Sequence, residues 1–181
     1  YLSTAHVYAS PLVGTVTEET CPRNLHPYAT SHLTGEHAVL SASNRGEFQG
    51  IILRLSNAFG APMHKSVNCW MLLVNDLCKQ AVQTQKVMVP RIVLRTSGLQ
   101  RRNFIAMESV SRAVLHFLSF QNSHLETNLY NVGGASTSSV LEMARCIQTR
   151  CGFVLGFEPE LIVDAPKRIE QAYALILDLI D

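Results

Sequence analysis

Gly50-Ile51-Ile52-Leu53-Arg54-Leu55-Ser56-Asn57-Ala58-Phe59-Gly60-Ala61-Pro62 is the stretch that decides the fold. Its first half is a short β-branched and aliphatic run with glycine at its head, which reads as a buried strand. The strand then runs into a Gly/Pro turn. Upstream, Tyr28 to Asn44 follows Pro27, is rich in Ala, Leu and Glu, and ends near Gly46, the pattern of a helix. Downstream, Trp70, Leu73, Val74, Leu77, Cys78 and Val82 recur at three- and four-residue steps and predict a helix with one apolar face.

Val87 to Leu94 suggests a strand interrupted by Pro90, and Val110, Ala113, Val114, Phe117 and Leu118 mark one side of a further amphipathic helix. Asn128 to Val132 reads as a strand leading to Gly133-Gly134. Ser139-Val140-Leu141-Glu142 is a capping box, in which the serine oxygen accepts from the first turn while the glutamate reaches back. The helix it opens is expected to run to Cys151 and close at Gly152. Strands alternating with helices imply an α/β architecture with mainly parallel pairing.

The 181 residues carry 15 Lys and Arg against 14 Asp and Glu, a balance that lacks the concentrated basic face of a nucleic-acid binder. With 47% hydrophobic and 16% charged residues the chain is too apolar to be disordered. No apolar run reaches about 18 residues, so no membrane span is expected. Five cysteines, an odd count without CxxC spacing, fit free thiols in a reducing compartment, and the expected location is the cytoplasm. His26, His32 and His37 lack the H-E-x-x-H spacing, and no Cys/His array has zinc geometry, so no metal is expected. Tyr1 to Thr4 already reads like the end of a buried strand, and Ile169 to Asp181 stops inside an apolar, helix-like run. Both ends are therefore expected to cut through a larger domain.

Three segments stand out for chemistry: Ser3-Thr4-Ala5-His6-Val7-Tyr8 at a strand end, Pro27-Tyr28-Ala29-Thr30-Ser31-His32 at a helix start, and Arg54 to Pro62. In open parallel sheets, ligands sit beyond the carboxyl ends of strands, where the first and third would lie. With these segments the chain resembles the extended short-chain dehydrogenase/reductases, the NAD-dependent epimerase/dehydratase family that acts largely on nucleotide sugars. The family pattern runs S-[ST]-x-x-V-Y, P-Y-x-x-[ST]-K, L-R-x-x-N-x-[YF]-G, R-D-F-[IV]-x-V-x-D-[VL] and Y-N-[VIL]-G. Here it is met in order by Ser3 to Tyr8, Pro27 to His32, Leu53 to Gly60, Arg102 to Val110, and Tyr130 to Gly133.

The resemblance implies a partial Rossmann-like parallel sheet, the C-terminal half of that domain, with a small α+β substrate-binding lobe. Residues 1–85 would be the dinucleotide-binding part and 86–181 mainly the substrate lobe with return segments to the Rossmann core. No G-x-G-x-x-G turn is present to hold a pyrophosphate at a helix N-terminus. The chain taken alone is therefore expected to bind its cofactor, NAD or alternatively NADP, poorly.

The resemblance further implies that Tyr28 is the acid/base, that Thr4 hydrogen-bonds the reacting oxygen, and that Ser3, Tyr28, His32 and Ser56 meet the cofactor. Asn57 and Arg102 would contact the diphosphate of a nucleotide sugar, and Tyr130 would line the sugar pocket. A free tyrosine has a pKa of about 10, so as a base near neutrality it needs a cation close by. The family supplies a lysine four residues on, and this chain has His32, which with an unperturbed pKa near 6.5 is about a quarter protonated at pH 7. Arg102-Asn103-Phe104 loses the acidic neighbour of the R-D-F pattern, and Glu108-Ser109 keeps one carboxylate of two.

Plainer roles stand beside these: His32 as a surface residue, Arg102 as one of several solvated charges with Arg91, Arg95 and Arg101, and Tyr130 as core. Two functions follow. One is an NAD(P)-dependent epimerase, dehydratase or reductase, an enzyme of the oxidoreductase, isomerase and lyase kind, dimeric through helices 28–44 and 66–83. The other is a degenerate, non-catalytic relative that binds nucleotides or nucleotide sugars.

Overall fold

A computed structural model describes residues 1–83, 90–119 and 127–163. In chain order the strands are β1 (Leu2–Thr4), β2 (Ile52–Leu55), β3 (Asn57–Phe59), β4 (Arg91–Leu94), β5 (Arg101–Ala106), β6 (Leu129–Val132), β7 (Thr137–Ser139) and β8 (Glu160–Val163). The helices are α1 (Pro27–Asn44), α2 (Leu73–Val82), α3 (Met107–Ser119) and α4 (Val140–Leu155), with a short 3-10 turn at Ala5–Val7. None of the described helices is long and apolar enough to cross a membrane. The chain forms two compact units, residues 1–58 with 104–135 and residues 59–103 with 136–181.

The first unit is built on a parallel sheet of order β1-β2-β6. Its register aligns three rungs: Leu2, Leu53 and Tyr130; Ser3, Arg54 and Asn131; Thr4, Leu55 and Val132. Residues on one rung of a parallel sheet share a face, and successive rungs alternate. Ile52 and Leu53 are buried, as the aliphatic run of β2 requires. Helix α1 starts with Pro27 at its first turn, where the missing N–H is no loss, and the His26 Nδ1 accepts from Tyr28 N at 3.2 Å. The α1 side chains that it buries are Ala29, Glu36 and Ala42. Two of those are small, so the helix lies close to its sheet, and the third is a charge.

The second unit pairs β4 with β8 in parallel and β5 with β7 antiparallel. Val74, Leu77 and Ala81 of α2, Ile92 and Leu94 of β4, and Val140, Ala144, Ile147 and Cys151 of α4 are its buried apolar residues. The capping box at the head of α4 is complete: Glu142 N donates to Ser139 Oγ at 3.0 Å and Ser139 N to Glu142 Oε2 at 2.7 Å. Buried Asn75 clasps the turn after β3, donating to Gly60 O at 2.9 Å and accepting from Gly60 N at 3.2 Å.

Three expectations need correction. Helix α4 passes through Gly152 and ends at Leu155, where Gly156 takes the left-handed conformation (φ 77°) that a side chain resists. Gly152 is helical and makes room for Glu158, since a Cβ there would lie 3.1 Å from that side chain. The helix expected over 66–83 begins only at Leu73; Ser66 to Leu72 form turns and loop, and Trp70 leaves the helical face to stack beneath Lys79 Nζ at 5.5 Å. The strand expected from Val87 is seen only as β4, because residues 84–89 lie outside the described residues, as does the apolar run from Ile169.

Candidate active site

Thr4 closes β1 and is buried; its Oγ1 accepts from His6 N at 3.2 Å, which caps the 3-10 turn. That turn sets the His6 ring edge-on to Tyr28, with centroids 6.3 Å apart. Tyr28 is half exposed on the first turn of α1, and His32, one turn on, meets its ring in a T-shaped contact at 4.7 Å. The spacing of four places both on one helix face. His32 Nδ1 lies 3.5 Å from the Tyr1 hydroxyl. A Cβ on Gly35 would collide with the Tyr1 ring, so a side chain there would push that ring off His32. Thr4, Tyr28 and His32 thus belong to one chain of contacts that runs through His6.

Ser3 is buried and its hydroxyl donates to Glu36 Oε1. Ser56 follows β2 at its carboxyl end, and its backbone N–H donates to Val132 O at 3.0 Å. The Ser56 Oγ is buried without a hydrogen-bond partner among the described residues. Buried polar atoms seldom lack a partner, so an orphaned hydroxyl beyond the strand ends fits a bound group that would supply one, as a nicotinamide riboside would. Asn57 opens β3 directly after Ser56. Tyr130 lies two rungs back from the Thr4 edge, and its ring packs on Phe117 with centroids 4.6 Å apart. Arg102 is exposed on β5, opposite Ser138 in the second unit.

Beneath this edge lies a buried charge pair that joins the motif's Arg54 to Glu36, a residue outside the motifs. Arg54 Nε donates to Glu36 Oε1 at 2.9 Å and Arg54 Nη2 to Glu36 Oε2 at 2.6 Å, a two-pronged bond in which Glu36 is 1% and Arg54 5% exposed. The Arg54 guanidinium also lies over the Tyr8 ring, 4.7 Å from its centre, and the Tyr8 hydroxyl donates to Asn131 Oδ1 at 2.7 Å. Burial pushes the Glu36 carboxyl up, but hydrogen bonds from Arg54 and Ser3 and the Arg54 charge outweigh it and hold the group below the usual carboxylate range. Burial likewise pulls Arg54 down, and the Glu36 bond more than restores it. Both stay charged. The sequence did hold a signal for the pair: an arginine inside an apolar strand must find a partner, and Glu36 continues the four-residue spacing of Tyr28 and His32.

Residues 1–133 match the model of the NAD dependent epimerase/dehydratase family. The chain belongs to that family. It is 29% identical over 147 residues to the dTDP-D-glucose 4,6-dehydratase of Mus musculus, covering 80% of this chain and 37% of that protein. It is also 28% identical over 135 residues to the dTDP-L-rhamnose 4-epimerase of Burkholderia thailandensis, covering 75% of this chain and 35% of that one. Among solved structures, MoeE5 in complex with UDP-glucose and NAD superposes with a TM-score of 0.68 at 21% identity, over 91% of this chain and 50% of that one. The fold is thus the Rossmann-like α/β fold expected; the chain spans about half the length of that structure and just over a third of the two curated relatives.

Proposed function

We propose that the chain carries the acid/base side of an NAD(P)-dependent nucleotide-sugar epimerase, dehydratase or reductase. The observation that carries this reading is the exposed Tyr28 phenol with the His32 imidazole against its ring, joined through His6 to the hydroxyl of Thr4. The Tyr28 phenolate would then take the proton of a sugar hydroxyl, while Thr4 would hold that oxygen by a hydrogen bond. What the nicotinamide supplies when bound is an acceptor for the hydride that leaves the same carbon, so the alcohol becomes a ketone and both electrons are accounted for. His32 and the Ser56 segment are the residues that would meet the nicotinamide riboside, and Ser3 supports them from below through Glu36. NADP is the alternative cofactor, since the choice rests with a ribose-facing residue of the dinucleotide-binding half.

Asn57 and Arg102 are assigned to the diphosphate, where a guanidinium grips two oxygens at once. The contact of Tyr130 with Phe117 favours a packing role for that ring over a sugar contact. Self-association through α1 and α2 belongs to the same reading. A second reading, a non-catalytic relative that binds nucleotide sugars, is favoured by His32 standing where the family pattern has lysine.

Turnover by the full-length protein separates the two. Tyr28→Phe is expected to lower kcat roughly 10²- to 10⁴-fold with NAD and a panel of nucleotide sugars; activity equal to wild type would remove the mechanism. His32→Lys is expected to keep or raise the rate. Product analysis is needed beside absorbance of reduced cofactor, because an epimerase returns its cofactor oxidised.

A further inference from the structure

We propose that Glu36 and Arg54 are positioning residues, which hold the helix bearing Tyr28 and His32 at a fixed height against the strand end bearing Thr4. The inference rests on the acid/base reading of Tyr28. Its basis is a polar row across the parallel sheet, buried at Ser3 and Arg54 and half-buried at Asn131: Ser3 of β1, Arg54 of β2 and Asn131 of β6 occupy one rung. Glu36 closes this row from α1 by accepting from both Ser3 and Arg54. Tyr8, at the end of the 3-10 turn, closes it from the other end by lying under Arg54 and donating to Asn131.

Each member is one or two short steps from a reacting group. Ser3 precedes Thr4, Arg54 stands two residues before Ser56, and Glu36 is one helical turn beyond His32. Tyr8 follows the turn that carries His6. Apolar contacts resist sliding weakly, because they are not directional. A guanidinium–carboxylate fork fixes both distance and angle. Stability alone does not call for such a pair, since well-packed apolar residues of similar volume commonly serve as well or better. What the fork adds is a single height for α1, and a misplacement of about 1 Å costs roughly 10²-fold in rate.

The test is the double variant Glu36→Leu/Arg54→Met in the full-length protein. It is expected to melt at or above the wild-type temperature, to lose kcat roughly 10- to 100-fold, and to leave KM for nucleotide sugar and NAD in place. In the same variant, without cofactor, the Tyr28–His6 ring contact, followed by NMR cross-peaks between the labelled rings, is expected to weaken, because α1 no longer holds one height against the turn after Thr4. A folded double variant with wild-type kcat and an unchanged Tyr28–His6 contact would overturn the proposal. Should the double variant not fold, Arg54→Lys, which keeps the charge and loses the fork, carries the same expectations for kcat, KM and the Tyr28–His6 contact, and the same refutation. The ring contact needs no turnover to be read. If Tyr28→Phe proves fully active, the assigned function fails while the positioning of Tyr28 by the row is still decided.

Discussion

The two units solve the same packing problem with different chemistry. Around β1-β2-β6, apolar residues such as Val7, Ile52 and Val110 share the interior with an ion pair, two serine and threonine hydroxyls and a tyrosine. Around β4-β8, α2 and α4, Val74, Leu77, Ile92, Leu94 and Ile147 are buried together with the uncharged polar Asn75, Ser97 and Ser139, and among the described residues no charged group is buried with them. The first interior carries the family's Ser/Thr and Tyr motifs at its edge; the second carries none of them. Among the described residues, buried charge is thus confined to the interior at whose edge those motifs lie.

The sharpest way to break this contrast is to strand one member of the pair. Glu36→Gln leaves Arg54 buried without its counter-ion and is expected to cost about 3–5 kcal/mol in urea unfolding. The pH dependence should follow. Glu36 titrates lower in the folded chain than unfolded, so its contribution is fully present above the unfolded value of about 4.3 and is lost as pH falls through the folded value. Glu36→Gln should therefore flatten the acid limb of the stability curve, and an unchanged limb would mean that the pair contributes nothing there.

In the second unit, Leu77→Ala should cost about 2–5 kcal/mol through the cavity it opens. Trp70 is the only tryptophan and belongs to that unit, so its fluorescence reports the loss directly. The Tyr28–His6 ring contact should not move in Leu77→Ala; a change there would erase the distinction between the two interiors. The smallest effect is expected at the α4 cap, where Ser139→Ala should cost about 1 kcal/mol in the same Trp70 measurement.

Much of the frame was legible because its signals are local. The aliphatic run of β2, the Pro27 helix start, the Asn128 to Val132 strand and the Ser139 to Glu142 box each declare themselves within a few residues. The ends of α2 and α4 were less legible. Trp70 fits the helical period yet stacks on Lys79 from a turn, and Gly152 looks like a terminator yet makes room for Glu158 within the helix. Strand β5 was hidden by its polar head, Arg101-Arg102-Asn103, which lies on the antiparallel pair with β7. At the site, the motif segments located Thr4, Tyr28 and His32, but Glu36 stood outside the motifs, marked only by its four-residue spacing from His32. Its burial follows from Arg54, 18 residues on, and only the paired strands bring the two together.

The row formed by Ser3, Arg54 and Asn131 also constrains how the sheet assembles. A slip of β2 by one residue would turn the guanidinium to the opposite face, away from its carboxylate, and offer Glu36 an alkyl chain instead. Purely aliphatic strands could exchange Ile52 for Leu53 against their neighbours with little complaint. The charged row works as a checksum on alignment, rejecting during folding the near-miss pairings that three short hydrophobic strands would otherwise tolerate.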